Sequence, residues 1–224
     1  MSEHTDPFVL PAGEAAALMR GAPWRRLVTV GDSVAEGVRD PAPGYRDLSW
    51  VDRVEEALAA AVPDLAALNL GRRDLVAAEI RATQLRPALE FRPDLAIVVG
   101  GGNDMLAPEF DADAVRAELA AMVSAFREAG ADVLTIGLFD ITAAGLGPRR
   151  FRAAISARTR LLGELTAEVA AEHGAHHVHN PPDHPAASDP GIYSADRLHF
   201  NARGHAIAAA GTIRALAGLL GPRR

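Results

Sequence analysis

Short apolar segments alternate with amphipathic helical patterns along most of this chain, and that alternation is the strongest constraint on its fold. Most of the apolar segments are continuously hydrophobic, which is typical of strands covered on both faces. We predict five strands, at 26–31, 65–70, 94–100, 132–138 and 175–180. The amphipathic patterns predict helices at 50–61, 75–89, 112–129, 149–172 and 201–219. This order predicts an α/β fold, a three-layer α/β/α sandwich around a parallel sheet of about five strands.

The chain is long enough for a substantial core and short enough to form it as one unit. Its 224 residues are 49% hydrophobic, and we expect a single domain over 1–224 in which residues 1–24 are an N-terminal extension. The Pro- and Gly-rich stretches at 40–44, 143–148 and 181–191 separate no region large enough to fold alone. We interpret all three as loops over one site.

Charge and residue usage exclude several classes of function. The formal net charge of −6 and the lack of a basic stripe argue against nucleic-acid binding. All 23 basic residues are arginines, which excludes a Schiff-base lysine and the phosphate-binding lysine of a P-loop. The chain has no cysteine, and a thiol nucleophile, a disulfide and a Cys-based zinc site are therefore excluded.

The amino terminus indicates no export signal. Glu3, Asp6 and Glu14 interrupt the first 18 residues, which contain no apolar run of signal-peptide length. No apolar run reaches the roughly 20 residues of a membrane helix. We therefore expect a cytoplasmic protein without a membrane partner, and nothing in the sequence indicates its oligomeric state.

Three polar motifs each follow a predicted strand, and a fourth precedes the last helix. They are Gly31-Asp32-Ser33, Asn69-Leu70-Gly71, Gly101-Gly102-Asn103-Asp104 and Asp196-Arg197-Leu198-His199. Because the carboxyl ends of parallel strands meet at one edge, where such sheets bind ligands, we expect the first three motifs to face one site. The loop of the fourth motif can reach the same edge, and Asn201 can cap the helix that follows it.

These motifs contain the parts of a serine hydrolase. Ser33 is the candidate nucleophile, and a helix N-terminus beside it would favour a developing anion. His199 would be the base, with Asp196 accepting from its Nδ1–H, while Asn103 would donate an amide N–H to the oxyanion. Alone, Ser33 would more often be a helix cap, and His199 a surface histidine beside a turn-capping Asp196. The four motifs together favour catalysis.

Phosphate and metal binding are weaker interpretations of the remaining features. The glycine run lacks G-x-G-x-x-G spacing, and Asp104 would place negative charge against a phosphate. His177 and His179 lie two apart on a strand, so they share a face and could bind a metal. No HExxH or carboxylate-bearing metal motif accompanies them, and we expect neither a metal nor a cofactor. The residues that flank the motifs, and that either line an acyl pocket or simply pack in the core, are Trp50, Phe139, Ile141 and Tyr193.

The four motifs resemble those of the SGNH hydrolase superfamily, the GDSL family of esterases and lipases. The resemblance runs from the first strand to the start of the last helix. It implies that Ser33 is the nucleophile, that Asp196 and His199 complete a triad, and that Asn103 is an oxyanion donor. It also implies a flavodoxin-like three-layer fold that hydrolyses esters, thioesters or acylated sugars without a cofactor.

The second motif departs from the family pattern. The family has an asparagine followed five residues later by the glycine that donates its N–H to the oxyanion, but here Asn69 is followed by Asp74 at that place. The nearest glycine is Gly71, so the N–H of either Asp74 or Gly71 is the candidate to join that of Ser33. A carboxylate at Asp74 would repel an oxyanion unless it is turned away.

We therefore expect a hydrolase of small-molecule acyl esters. Asp32, Val34 and Asp104 lie next to Ser33 or Asn103 in the sequence and are the expected substrate contacts; Val34 stands where the family has leucine. Two alternatives stay open. The same residues could transfer an acyl group to an acceptor other than water, or the chain could be a binding module without turnover, for which Asp74 is the motivating feature.

Overall fold

A parallel five-stranded sheet forms the centre of the computed structural model, which describes residues 1–180 and 184–220. Each strand lies within its predicted segment: β1 (Arg26–Gly31), β2 (Ala66–Asn69), β3 (Leu95–Val99), β4 (Asp132–Ile136) and β5 (His176–Val178). The strand order is β2-β1-β3-β4-β5, with every neighbouring pair parallel. This is the flavodoxin-like order, in which the direction of winding reverses between β1 and β3. The predicted fold class is confirmed.

Helices cover both faces of the sheet. They are α1 (Ala12–Leu18), α2 (Ser33–Glu36), α3 (Trp50–Ala61), α4 (Ala77–Glu90), α5 (Gly102–Leu106), α6 (Ala112–Glu128), α7 (Arg152–Glu172) and α8 (Ala202–Leu219). The five long helices were predicted, although residues 149–151 form a separate 3₁₀ turn before α7. The short helix α2 begins at Ser33, where the sequence predicted a helix N-terminus. Neither α1 nor α5 was predicted, since each is seven residues or shorter and too brief to show a helical period.

The continuous apolar runs are explained by burial on both sides of the sheet. All five residues of β3 are buried, and successive side chains point to opposite faces. Leu95 and Ile97 pack with Trp50 and Leu58 on the face covered by α1, α3 and α8. Ala96 and Val98 belong to the core on the face covered by α4, α6 and α7.

The connections agree with the predicted loops where the structure describes them. The stretch at 40–44 is a loop, a 3₁₀ turn (Ile141–Ala144) overlaps the start of 143–148, and another (Pro190–Ile192) ends the third stretch. Residues 181–183 of that third stretch lie outside the described residues. Asn201 caps α8 as predicted, because its side chain accepts from the N–H groups of Arg203 and Gly204. Among the described residues, no helix has the length and apolar character to cross a membrane.

Candidate active site

Ser33 begins α2 directly after β1, in a turn that only glycine permits. Gly31 has φ 153°, and a Cβ at this position would lie 2.1 Å from the carbonyl oxygen of Val99. Gln84 of α4 then closes the turn, accepting from the Gly31 N–H at 2.7 Å and donating to its carbonyl at 2.8 Å. Gln84 was not predicted, since its contact joins residues 53 positions apart and leaves no local signal in the sequence.

A chain of hydrogen bonds joins Ser33 to His199 and Asp196. His199 Nε2 lies 2.8 Å from Ser33 Oγ, and its Nδ1 lies 2.7 Å from Asp196 Oδ2. A serine, an imidazole and a carboxylate in this order are the geometry of a catalytic triad. The sequence-predicted residues of the first and fourth motifs are therefore brought together at the carboxyl edge of the sheet.

The second carboxylate oxygen of Asp196 accepts three hydrogen bonds from neighbouring residues of the same loop. Oδ1 accepts from Ser194 Oγ at 2.6 Å and from the N–H groups of Leu198 and His199 at 2.9 and 3.0 Å. Burial acts to raise the pKa of Asp196, but the hydrogen bonds from Ser194 and His199 outweigh it and hold the pKa well below its usual range. The carboxylate therefore stays ionised. Ser194 was not predicted, although a hydroxyl two residues before an aspartate is a readable signal.

Residues 193–200 form a hairpin-like loop, which we call the His199 loop. Tyr193 and Phe200 pair in an isolated antiparallel bridge at its base. The Ser194 N–H donates to the His199 carbonyl at 2.8 Å. Asn201 closes the base by donating to the Tyr193 carbonyl at 3.0 Å. The position of His199 is therefore set by the base of this loop.

Asn103 lies in α5, after Gly101 at φ 89°. Its Nδ2 donates to the Leu75 carbonyl at 2.9 Å, which uses one of its two amide N–H donors and leaves the other. Asn103 also lines the cleft that holds Ser33 and His199. One donor of the side chain thus fixes its orientation while the second is available to a ligand.

Gly71 packs against α2, and its N–H is already used. The Gly71 N–H donates to Asn69 Oδ1 at 2.8 Å, while Asn69 Nδ2 donates to the Ala35 carbonyl at 2.8 Å. A Cβ at Gly71 would lie 2.3 Å from the Glu36 nitrogen. The glycine therefore permits close packing of this loop, and its single N–H donor is occupied.

Asp74 occupies a backbone conformation that favours glycine. Its φ is 68°, and its side chain is exposed. On one side Arg73 is bound to Glu36 of α2, and on the other Leu75 is bound to Asn103. Within the described part of the chain, the Asp74 N–H has no hydrogen-bond partner. Of the two second-motif candidates, Asp74 is the one with a free donor.

The cleft beside Ser33 is predominantly apolar. All four predicted flanking residues line it: Trp50, Phe139, Ile141 and Tyr193. Asp32 and Val34 line it as well. Asp104 does not, which differs from its predicted place at the substrate. Its Oδ2 instead accepts from the Ala77 N–H at 2.9 Å, at the start of α4.

Asp32 is a buried carboxyl directly before Ser33, with 2% of its surface exposed. Burial raises the pKa of Asp32 to about 6, assisted by the charge of Asp104 and opposed by the Val34 N–H and by His199. Its Oδ1 accepts from that N–H at 2.9 Å and so caps α2. Its established contact in the structure is therefore a helix cap.

His177 and His179 do not line the cleft that holds Ser33 and His199. The rings of His177 and His179 are 4.6 Å apart, edge to face, so the two side chains share a face as predicted. His177 Nδ1 lies 2.8 Å from Thr135 Oγ1, and burial lowers the pKa of His177 to about 4. Among the described residues, no three His, Asp or Glu side chains converge on a point that could hold a metal ion.

A second buried histidine forms part of the cleft wall. His205 Nδ1 accepts from the Trp50 N–H at 3.2 Å, and its Nε2 donates to the Val38 carbonyl at 2.9 Å. Because a backbone N–H faces Nδ1 and a carbonyl faces Nε2, the neutral Nε2–H form satisfies both. Burial lowers the pKa of His205 to about 4.

Comparison with known proteins agrees with this geometry. Residues 29–207 match the GDSL-like lipase/acylhydrolase family. The chain belongs to this family. As a member it is an SGNH-type esterase, and the predicted enzyme class is confirmed. No match to this chain was found among curated protein sequences.

Solved structures with similar folds include two hydrolases. LAE5, an α/β-hydrolase enzyme from the metagenome of Lake Arreo in Spain, is 21% identical with a TM-score of 0.70, covering 91% of this chain and 98% of its own. A catalytic mutant of Axe2, an acetylxylan esterase from Geobacillus stearothermophilus, is 19% identical with a TM-score of 0.68, covering 88% of this chain and 94% of its own. At these identities the likeness shows a shared fold.

Proposed function

We propose that this esterase hydrolyses small-molecule carboxylic esters through Ser33, His199 and Asp196. The observation that carries the proposal is the continuous pair of hydrogen bonds, 2.8 Å from Ser33 Oγ to His199 Nε2 and 2.7 Å from Nδ1 to Asp196. An ionised Asp196 keeps the proton on Nδ1, so that Nε2 is free to accept the proton of the serine.

The reaction runs in two halves. Ser33 Oγ attacks the ester carbonyl while its proton passes to His199 Nε2, and the collapse of the tetrahedral intermediate transfers that proton to the leaving alcohol. A water molecule then gives its proton to His199 and attacks the acyl group on Ser33. The acid is released, and both residues return to their starting forms.

Three N–H groups are our candidates for the oxyanion hole. The N–H of Ser33 stands at the first position of α2, where it has no partner within the helix. Asn103 supplies its second amide N–H, and Asp74 supplies its free backbone N–H. The exposed carboxylate of Asp74 lies in solvent, which limits its repulsion of the anion.

The cleft favours an apolar acyl group. Several of its polar side chains are already paired inside the protein: Thr159 Oγ1 donates to the Ile155 carbonyl at 2.9 Å, and Thr212 Oγ1 donates to the Ala208 carbonyl at 3.0 Å. The Tyr193 hydroxyl has no partner among the described residues, but apart from it the hydroxyls of a sugar would find few free partners in the cleft and would lose hydrogen bonds with water. Leu106 and Leu198 extend the apolar lining towards solvent, with 38% and 40% of their surfaces exposed.

Turnover of p-nitrophenyl butyrate and p-nitrophenyl acetate tests the proposal. Ser33→Ala should lower kcat by at least about 1,000-fold, because the acyl-enzyme can no longer form. Ser188→Ala is the matched control, since that hydroxyl is exposed and, among the described residues, bonds only the Pro185 carbonyl; it should keep wild-type kcat. Full turnover by Ser33→Ala would refute the assignment. Product analysis with an added alcohol separates hydrolysis from acyl transfer.

A further inference from the structure

Two of the first ten residues have carboxylates that are buried in the protein. Glu3 and Asp6 are 8% and 5% exposed, whereas acidic side chains are almost never buried unless they are paired. Both lie before the family match, which begins at residue 29. The two carboxylates bind different parts of the fold, so the effects of removing Glu3 and Asp6 can be compared with each other.

Glu3 is bound from the side of α3. Its carboxylate accepts from Arg53 Nη1 at 2.7 Å and Nη2 at 3.2 Å, and from the N–H and Nε of Arg46 at 2.9 and 3.1 Å. Burial acts to raise the pKa of Glu3, but hydrogen bonds from these arginines outweigh it and lower the pKa to about 2. None of these partners belongs to the His199 loop.

Asp6 is bound to α8 next to that loop. Its Oδ2 accepts from Arg203 Nε and from the Tyr45 hydroxyl, each at 2.8 Å, and its Oδ1 accepts from the Phe8 N–H at 3.1 Å. The side chain is fully buried. Burial acts to raise the pKa of Asp6, but the bonds from Arg203 and Tyr45 outweigh it and leave the pKa below its usual value.

Arg203 connects the two ends of the His199 loop. It lies in the first turn of α8, four residues after His199, and its Nη1 donates to Asp189 Oδ2 at 2.5 Å. Asp189 in turn accepts from the Gly191 N–H at 2.8 Å and caps the 3₁₀ turn that leads into the loop. One guanidinium therefore holds the segment before the loop and the helix after it, and Asp6 fixes that guanidinium.

We propose that Asp6 is a positioning residue for the triad. By fixing Arg203, it keeps the base of the His199 loop in place and holds His199 Nε2 at Ser33. Phe8 and Val9 add to this effect, because they pack in one apolar cluster with Tyr193 and Phe139 of the cleft wall. A displacement of about 1 Å at a reacting group can cost about 100-fold in rate, so a modest shift of the loop is measurable. The inference rests on the proposed function.

The test compares Asp6→Asn with Glu3→Gln, two near-isosteric changes that each remove one buried carboxylate. Both should lower the melting temperature, because each removes one buried carboxylate that is paired with an arginine. With p-nitrophenyl butyrate, below the unfolding transition of both variants, Asp6→Asn should lower kcat about tenfold with KM within about twofold. Glu3→Gln should keep kcat within about twofold of wild type.

Hydrogen exchange in the peptide that spans 193–200 supplies a readout independent of turnover. Exchange there should be faster in Asp6→Asn than in Glu3→Gln. Equal losses of kcat in both variants, a change in KM alone, or identical exchange would overturn the inference. Should Asp6→Asn fail to fold, Arg203→Lys keeps the charge but loses the fork that reaches both carboxylates, and it should show the same selective loss. If Ser33→Ala loses turnover but Asp6→Asn keeps the wild-type rate, this inference alone is rejected. If the wild-type protein shows no turnover, the proposed function is rejected.

Discussion

The two sides of the proposed site use their residues in different ways. On one side, Ser33, His199 and Asn103 line the cleft and offer a hydroxyl, an imidazole and an amide, and few other side chains supply the same chemistry. On the other side, the segment from Asn69 to Asp74, which does not line the cleft, offers a backbone N–H, which every residue except proline carries. A sequence motif therefore specifies the first side more strictly than the second.

Conformation is the stricter requirement on the second side. Asp74 has φ 68°, a value that glycine adopts freely and aspartate tolerates better than most residues. This explains how an aspartate can stand where the family pattern has glycine. Aspartate in place of glycine at position 74 thus costs conformational energy but keeps the backbone N–H donor.

The largest expected effect among the oxyanion donors belongs to Asn103. Asn103→Ala should lower kcat by about 100- to 1,000-fold, the usual loss for one oxyanion donor. Steady-state kinetics with p-nitrophenyl butyrate measures it, and a melting curve separates catalysis from the lost bond to Leu75. A loss below about threefold would make Asn103 structural and remove the contrast between the two sides.

Asp74 should give a smaller effect of opposite sign. Asp74→Gly and Asp74→Asn both keep the N–H and remove the negative charge, so both should raise kcat by about two- to fivefold if the proposed oxyanion lies nearby. Only the glycine variant also relieves the left-handed backbone, and it should raise the free energy of unfolding by up to about 1 kcal/mol.

Arg92→Gly is the control for backbone strain, because Arg92 also has positive φ, at 54°, and is not a candidate oxyanion donor. It should stabilise the fold without changing kcat. If both Asp74 variants keep the wild-type kcat, its carboxylate exerts no effect on the transition state. A loss of kcat in both would show that the carboxylate itself is needed.

The pH dependence of stability tests the burial of neutral His205. The pKa of His205 is about 4 in the folded protein and 6.5 in the unfolded chain. Between these two pH values, the unfolded state binds a proton that the folded state does not bind. The contribution of neutral His205 to the free energy of unfolding is therefore fully present above pH 6.5. About 3 kcal/mol of it is lost as the pH falls to about 4.

Urea unfolding of wild type and His205→Gln at pH 7 and pH 4.5 measures this difference. The glutamine cannot titrate, so the variant should lose less stability on acidification. Asp32, whose raised pKa of about 6 acts oppositely and adds stability as the pH falls through that value, is present in both proteins, so its contribution cancels when the acid-induced change is compared between them. Equal acid sensitivity in both proteins would contradict the assigned role of His205.

The sequence predicted those parts of the fold and site that depend on local pattern. The five strands and five long helices have clear periods, and the proposed triad residues were predicted from their side-chain chemistry. The pairing of Gln84 with Gly31 joins residues 53 positions apart, and that of Asp6 with Arg203 joins residues 197 positions apart. Neither contact leaves a local signal.

Two predicted site residues, Gly71 and Asp104, already have a hydrogen-bond partner inside the protein. Gly71 was a candidate donor until the structure placed Asn69 Oδ1 at 2.8 Å from its N–H. Asp104 was expected at the substrate, but the N-terminus of α4 supplies a backbone N–H that its carboxylate accepts. In both cases the residue type allowed two partners, and tertiary packing decided between them.

Covalent labelling at Ser33 is the most direct test of the central claim. Incubation with a fluorophosphonate, followed by intact-mass measurement and peptide mapping, should show one adduct per chain, located on Ser33. The same treatment of His199→Ala should label far more slowly, because the serine then lacks its base. An adduct on another residue, or continued ester turnover after complete modification of Ser33, would contradict the account.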